Sequence, residues 1–131
     1  MTYEQCLRAH AAITRMAGIV FGIKEAYAIF KLGKRLSVEV EFCAQHEKAL
    51  IEKYNGMVQK DGSIHFVHGD DEESKRIGMT NMEQFKNEMN QLLNSETEGN
   101  IEPVHISLDA FEDYKITPDD IMALDNIIIF E

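Results

Sequence analysis

The sequence predicts an α+β fold that is mostly helical, with four helices, a small β-hairpin and a third strand. Apolar residues recur at helical spacing over residues 3–16 and again over residues 22–54. An Asp-Gly turn at residues 61–62 separates two short apolar runs, and Thr117-Pro118 begins another helical pattern. Because 131 residues with 44% apolar composition suffice for one core, we expect a single compact domain over residues 1–131.

The first helix is predicted from Tyr3 to Met16. Leu7, Ala11 and Ile13 recur there near helical spacing, and the segment contains no helix breaker. Gly18, two residues further on, is expected to end the helix.

A second, longer helix is predicted from about Gly22 to Tyr54. Within it, the stretch RLSVEVEF at residues 35–42 alternates apolar and polar residues as a β-strand does. A strand would need a turn on each side, yet residues 24–54 contain no proline and only one glycine, Gly33. A continuous helix is therefore favoured.

The predicted helix determines which of its charged and apolar side chains lie side by side. Arg35 with Glu39, and Lys48 with Glu52, stand four residues apart and are predicted to form weak surface ion pairs. Val38 and Phe42 do not fit the buried face of such a helix. They are interpreted as a second contact surface.

Turn-forming residues divide the middle of the chain. Asn55-Gly56 supplies a helix stop, and Asp61-Gly62 predicts a hairpin between the runs MVQ and IHFV. The acidic run at residues 70–73 suits the first turn of a third helix. We expect Gly78 to interrupt this helix near its start, so that the main body begins at Asn81.

The C-terminal third predicts one strand and one helix. Residues 101–108 form an extended apolar stretch, and its Pro103 favours a sheet edge or a strand start. This strand is expected to join the hairpin in a three-stranded sheet. Thr117-Pro118-Asp119-Asp120 combines a capping hydroxyl, an N-terminal proline and two acids, and so predicts a fourth helix. The residues expected to pack inward from it are Ile121, Leu124 and Ile128.

Charge is distributed unevenly along the chain, whose formal net charge is −10. Residues 1–60 carry nine Lys and Arg against six Glu, whereas residues 61–131 carry four against seventeen Asp and Glu. An acidic surface repels nucleic acid and attracts basic partners by electrostatic steering. We therefore expect no direct binding of nucleic acid. The plainer interpretation is that the acidic surface only keeps the protein soluble.

Cysteine use and hydropathy bear on the compartment. Two cysteines do not make a disulfide framework, and the start MTYEQCLRAH lacks the features of a secretory signal. The longest apolar runs, such as AGIVFGI, are far shorter than the roughly 18 residues of a membrane span. We expect a cytoplasmic protein that does not contact a membrane.

The order of segments resembles a group of small proteins encoded by tailed bacterial phages and prophages. The resemblance rests on the long charged helix ending EKYNG, the turn KDGSIHFV, the helix ending EMNQLLNSE, and the closing segment with ITPDDIMALDN, and it covers residues 23–131. It implies a protein of a mobile element that acts in the cytoplasm of the host cell. That group has no established activity, so the resemblance implies no functional residues.

Catalytic and metal chemistry find little support in the sequence. Neither a dinucleotide fingerprint nor a Walker-type loop is present, and we expect no enzyme activity and no cofactor. The sharpest metal hypothesis is a zinc site, because cysteine with histidine at helical spacing occurs once on each of the first two helices. Against this hypothesis, a buried free cysteine is a common small core residue. We therefore predict no metal site. The candidate ligands are Cys6, His10, Cys43 and His46.

Acidic clusters provide the main functional hypothesis. Their simplest interpretation is a solvated helix start and a polar loop. The functional alternative is a surface that resembles nucleic-acid phosphates and occupies the basic groove of a host defence enzyme that handles nucleic acid. The candidate partner-binding residues are Asp70, Asp71, Glu72, Glu73, Asp109, Glu112 and Asp113.

A second functional class remains open beside this acidic inhibitor. The long helix with its spare apolar face would suit self-association, as in an assembly accessory of a phage particle. The two classes differ in salt dependence, since steered charge contacts weaken with ionic strength and apolar contacts persist.

Overall fold

The computed structural model describes residues 1–112 and 114–131, and this part of the chain contains four α-helices and four short strands. The α-helices are α1 (Tyr3–Arg15), α2 (Ile23–Lys53), α3 (Glu72–Leu93) and α4 (Pro118–Leu124). The strands are β1 (Met57–Val58), β2 (Ile64–His65), β3 (Val104–Ile106) and β4 (Ile128–Phe130). Short 3-10 helices span Met16–Gly18 and Leu108–Phe111. The predicted α+β class, mostly helical, is confirmed.

The contacts group the chain into two compact units. The first unit consists of Met1–Glu41 and Ser95–Glu131, and the second unit is Phe42–Asn94. Each unit has its own apolar cluster and is described separately.

In the first unit, α1 begins with a capping box and presents a row of small residues. The Thr2 hydroxyl accepts a hydrogen bond from the Gln5 amide, and the Gln5 side chain accepts one from the Thr2 amide. Cys6, Ala9 and Ala12, three residues apart, are fully buried, which allows other elements of this unit to pack closely. The core members that are at least 99% buried include Leu36, Ile106, Leu124, Ile127 and Ile128.

The third strand does not join the hairpin, so that prediction was wrong. β3 pairs in parallel with β4, in the register Val104↔Ile128 to Ile106↔Phe130. Parallel strands need a crossover connection, and α4 lies in the connection between them. Of the residues predicted to pack inward from the last helix, Leu124 is buried and Ile121 is exposed. Ile128 is buried too, but on a strand, because α4 already ends at Leu124 and consecutive β-branched residues follow.

The RLSVEVEF stretch is helical, as predicted. α2 continues through it without a break, and Leu36 is fully buried whereas Val38 is 60% exposed. Phe42 is 46% exposed, so neither Val38 nor Phe42 belongs to a core. The alternation therefore reflects two faces of a helix. Ile23, Tyr27 and Phe30 are also exposed on α2.

The second unit is built around a hairpin and α3. The Asp-Gly hairpin is confirmed, with β1 antiparallel to β2 and the Asp61 carboxylate accepting hydrogen bonds from the Ser63 amide and hydroxyl. Leu50, Phe66 and Phe85 form the small core. Asn55 has a left-handed backbone (φ 56°) just after α2, which confirms the predicted helix stop.

Helix α3 is not interrupted at Gly78, contrary to expectation. It runs continuously from Glu72 to Leu93, and Gly78 is buried. A Cβ atom at this position would lie 2.6 Å from the Phe66 carbonyl oxygen and 2.7 Å from the Val67 Cα. The glycine is therefore a close-packing residue and not a helix break.

In the described part of the chain, no helix combines the length and the apolar character that a membrane span requires.

Candidate functional site

The acidic run at residues 70–73 lies at the N-terminus of α3, as the sequence indicated. Asp71 is the N-cap, and its carboxylate accepts hydrogen bonds from the Ser74 amide (3.1 Å) and the Ser74 hydroxyl (2.6 Å). The bonds from Ser74 hold the pKa of Asp71 below its ordinary value. The carboxylate of Asp71 therefore serves to cap the helix.

The other three carboxylates of the run are exposed and form no ion pair in the described structure. Asp70, Glu72 and Glu73 are exposed, and none has a Lys or Arg nitrogen within ion-pair distance in the described structure. Lys75 and Arg76 follow in the next turn of α3 without pairing to them. We name Asp70, Glu72 and Glu73 the α3 acidic group.

A second set of predicted carboxylates belongs to the first unit. Asp109 and Glu112 are both exposed, Asp109 on the 3-10 helix and Glu112 directly after it. The Asp109 amide donates to the Ser107 hydroxyl (3.2 Å), which caps that helix. Asp113, also predicted from the sequence, lies outside the described residues. The α3 acidic group and the Asp109–Glu112 pair therefore sit on different units.

Folding does not keep the basic and acidic parts of the sequence apart. The strongly acidic segment Ser95–Glu131 folds with the more basic Met1–Glu41 in the first unit. Several carboxylates outside the predicted set are paired there or in the second unit. The pairs with Lys, Arg or the N-terminal amine are Glu4–Arg8, Glu39–Arg35, Glu88–Lys53, Glu96–Met1 and Asp120–Arg15.

Two of these pairs correct expectations about α2. Arg35 does bind Glu39 (2.7 Å), but Glu39 is only 7% exposed, so this is not a surface pair. Lys48 and Glu52 are not paired within the described residues; the neighbouring Lys53 binds Glu88 of α3 instead (3.1 Å). Tyr54 and Lys53 hydrogen-bond to Glu88 and lower the pKa of its carboxyl.

Asp120 is a buried acidic residue whose environment the sequence did not reveal. The sequence predicts Asp120 only as an acid in the first turn of the last helix, and the hydroxyl of the predicted cap, Thr117, accepts a hydrogen bond from its amide (3.1 Å). Its carboxylate, however, is buried and accepts a hydrogen bond from Arg15 Nε at 2.9 Å. That bond lowers the pKa of Asp120. Arg15 and Asp120 are 105 positions apart, so no local sequence pattern could predict their pairing.

The four candidate zinc ligands are divided between the two units. Cys6 and His10 belong to the first unit, and Cys43 and His46 to the second. Throughout residues 1–112 and 114–131, no three His, Cys, Asp or Glu side chains form a group that could hold a metal ion. Both cysteines are buried: Cys6 packs in the first-unit core, with Sγ 3.7 Å from Met1 Sδ.

Comparison with known proteins gives no relative: neither a protein-family model, nor a curated protein, nor a solved structure matches this chain.

Proposed function

We propose that this chain is a non-catalytic binding protein that engages a basic protein surface through the α3 acidic group. The observation that carries this proposal is the exposure of Asp70, Glu72 and Glu73 without ion pairs, at a helix end held by the Asp71 cap. Exposed carboxylates that form no ion pair within the described chain remain able to attract a cationic partner.

The geometry of the group suits contact with several cations at once. The three carboxylates lie within four consecutive positions, one just before the Asp71 cap and two in the first turn of a 22-residue helix, and the cap fixes the backbone between them. A partner that presents Arg or Lys side chains would form charge-assisted hydrogen bonds with them. Asp109 and Glu112 would offer a second contact of the same kind.

Such a surface imitates closely spaced phosphates. We therefore propose as partner a host enzyme that handles nucleic acid and carries a basic groove. Occupation of that groove would inhibit the enzyme, in line with the resemblance of the sequence to proteins of phages and prophages.

Affinity capture from bacterial lysate tests this proposal. The bait variant Asp70→Lys, Glu72→Lys, Glu73→Lys spares Asp71, so the helix cap is kept. The matched control reverses three other exposed carboxylates of the same unit: Glu47→Lys, Glu52→Lys and Glu83→Lys. We expect the wild type and the control to retain a basic nucleic-acid enzyme that the α3 variant loses. Equal capture of that enzyme by both variants would contradict the proposal.

A second candidate function has its own support. On the first-unit part of α2, four large apolar side chains are at least 60% exposed: Ile23, Tyr27, Phe30 and Val38. Their spacing places them on one side of the helix, opposite the buried Leu32 and Leu36. We propose self-association through this apolar α2 face as the alternative, which would suit an assembly accessory of a phage particle.

A further inference from the structure

A cavity of about 400 Å³ lies in the first unit between α2 and the segment 100–104. Three of its lining side chains are cationic: Lys24, Lys31 and Arg35. They are seven and four residues apart on α2 and therefore share one side of the helix. Glu102 is the one carboxylate among the side chains that line this cavity. The cavity is thus locally positive in a chain whose net charge is −10.

Arg35 builds the wall of this cavity. Its Nη2 donates to the Glu98 carbonyl (2.9 Å) and its Nη1 binds the Glu39 carboxylate (2.7 Å). Gly99 has a left-handed backbone (φ 78°), and a Cβ atom there would lie 3.3 Å from Arg35 Nη2. Arg35 therefore holds the 98–104 segment against α2 and acts as a positioning residue.

The two lysines remain available for a ligand. Among the described residues, neither Lys24 nor Lys31 has a carboxylate within ion-pair distance. Lys31 Nζ lies 5.4 Å from the centroid of the Tyr27 ring, which restricts where that ammonium group can sit. Seven residues of helix span about 10 Å, so two flexible lysine side chains can converge on one ligand.

We infer that this cavity binds a small phosphate-bearing molecule. The phosphate would lie between the ammonium groups of Lys24 and Lys31, because two point charges match a dianion. Asn100 and Glu102 offer polar groups to ligand hydroxyls, and Ile101 and Pro103 form an apolar wall for the carbon skeleton. The cavity and the α3 acidic group belong to different units. The inference of phosphate binding therefore does not depend on the binding function proposed above.

Isothermal titration calorimetry at low ionic strength tests this assignment, with ribose 5-phosphate, pyrophosphate, ribose and citrate as probes. We expect ribose 5-phosphate and pyrophosphate to bind, ribose not to bind, and citrate to bind more weakly than either phosphate. Absence of heat with both phosphate probes would overturn the site. Citrate affinity equal to that of the phosphates would overturn the assignment to phosphate.

Variants locate the site. The double variant Lys24→Gln, Lys31→Gln should weaken phosphate binding by about tenfold or more, since two charge-assisted contacts are removed. The matched control is Lys48→Gln, Lys60→Gln, which removes two exposed lysines that do not line the cavity. Equal affinity of the two double variants would exclude the cavity as the binding site. Far-UV circular dichroism verifies that both variants are folded.

Discussion

Arg15, at the end of α1, and Asp120, in the first turn of α4, form a hydrogen-bonded ion pair with 2.9 Å between Nε and Oδ1. Asp120 is 6% exposed, and its carboxylate therefore depends on Arg15 for compensation of its lost hydration. The pair links two helices that are far apart in the sequence.

Removal of this pair should destabilise the protein. Arg15→Ala leaves a buried carboxylate without its cation, and we expect a loss of about 1–3 kcal/mol in the free energy of unfolding, measured by urea denaturation. The matched control is Arg8→Ala, whose partner Glu4 is exposed; it should change stability by less than about 0.5 kcal/mol. Equal losses in the two variants would contradict the structural role of the Arg15–Asp120 pair.

Acid should weaken the same pair. The pKa of Asp120 is lowered in the folded protein, so the charged carboxylate stabilises the fold above the unfolded pKa of about 4. That contribution is lost as the pH falls through the lowered folded pKa. The stability difference between wild type and Asp120→Asn should be constant near neutral pH and shrink below about pH 4. A difference that grows on acidification would contradict this sign.

Gly78 and Gly33 offer a matched pair of helix glycines with opposite expected responses. Alanine normally stabilises a helix interior by about 1 kcal/mol relative to glycine. At Gly33 the new Cβ would lie at an ordinary 3.6 Å from Ile13, so Gly33→Ala should keep or raise the denaturation midpoint. At Gly78 it would collide with the backbone of Phe66 and Val67, so Gly78→Ala should lower the midpoint. A stabilised Gly78→Ala variant would refute the close packing.

The helical interpretation of RLSVEVEF predicts different responses from neighbouring apolar residues. Leu36→Ala creates a cavity in the first-unit core and should cost about 2–5 kcal/mol. Val38→Ala removes an exposed side chain and should cost less than about 0.5 kcal/mol. If the stretch were a strand, residues 36 and 38 would face the same side and respond alike.

The apolar α2 face predicts a specific change in association. Phe30→Glu places a charge within that face, so any concentration-dependent mass in sedimentation equilibrium should fall to that of one chain. Val58→Glu, at an equally exposed apolar position of the hairpin, serves as the control and should leave association unchanged. A wild-type chain that is monomeric at all concentrations would exclude self-association as its function.

Local signals account for what the sequence predicted well. The Thr117 cap, the Asp61-Gly62 turn and the long α2 depend on neighbouring residues, and the structure confirms all three. The α3 acidic group was also located from its sequence, because an acidic run before an apolar helical pattern suits a helix start.

Long-range contacts account for what the sequence did not predict. Three contacts join residues that are distant along the chain. They are the parallel pairing of β3 with β4, the ion pair of Arg15 with the buried Asp120, and the close approach of Gly78 to Phe66 and Val67. Periodicity describes one segment at a time and carries no information about such partners. For the same reason, the helical spacing of the two Cys and His pairs did not indicate that they belong to different units.

The proposed binding of a cationic protein surface by Asp70, Glu72 and Glu73 is tested most directly by the affinity for a purified, captured partner. We expect the dissociation constant to rise steeply between about 50 mM and about 500 mM salt. At low salt, the triple variant Asp70→Lys, Glu72→Lys, Glu73→Lys should bind at least about tenfold more weakly than wild type. A dissociation constant that is the same for both proteins and insensitive to salt would contradict the claim.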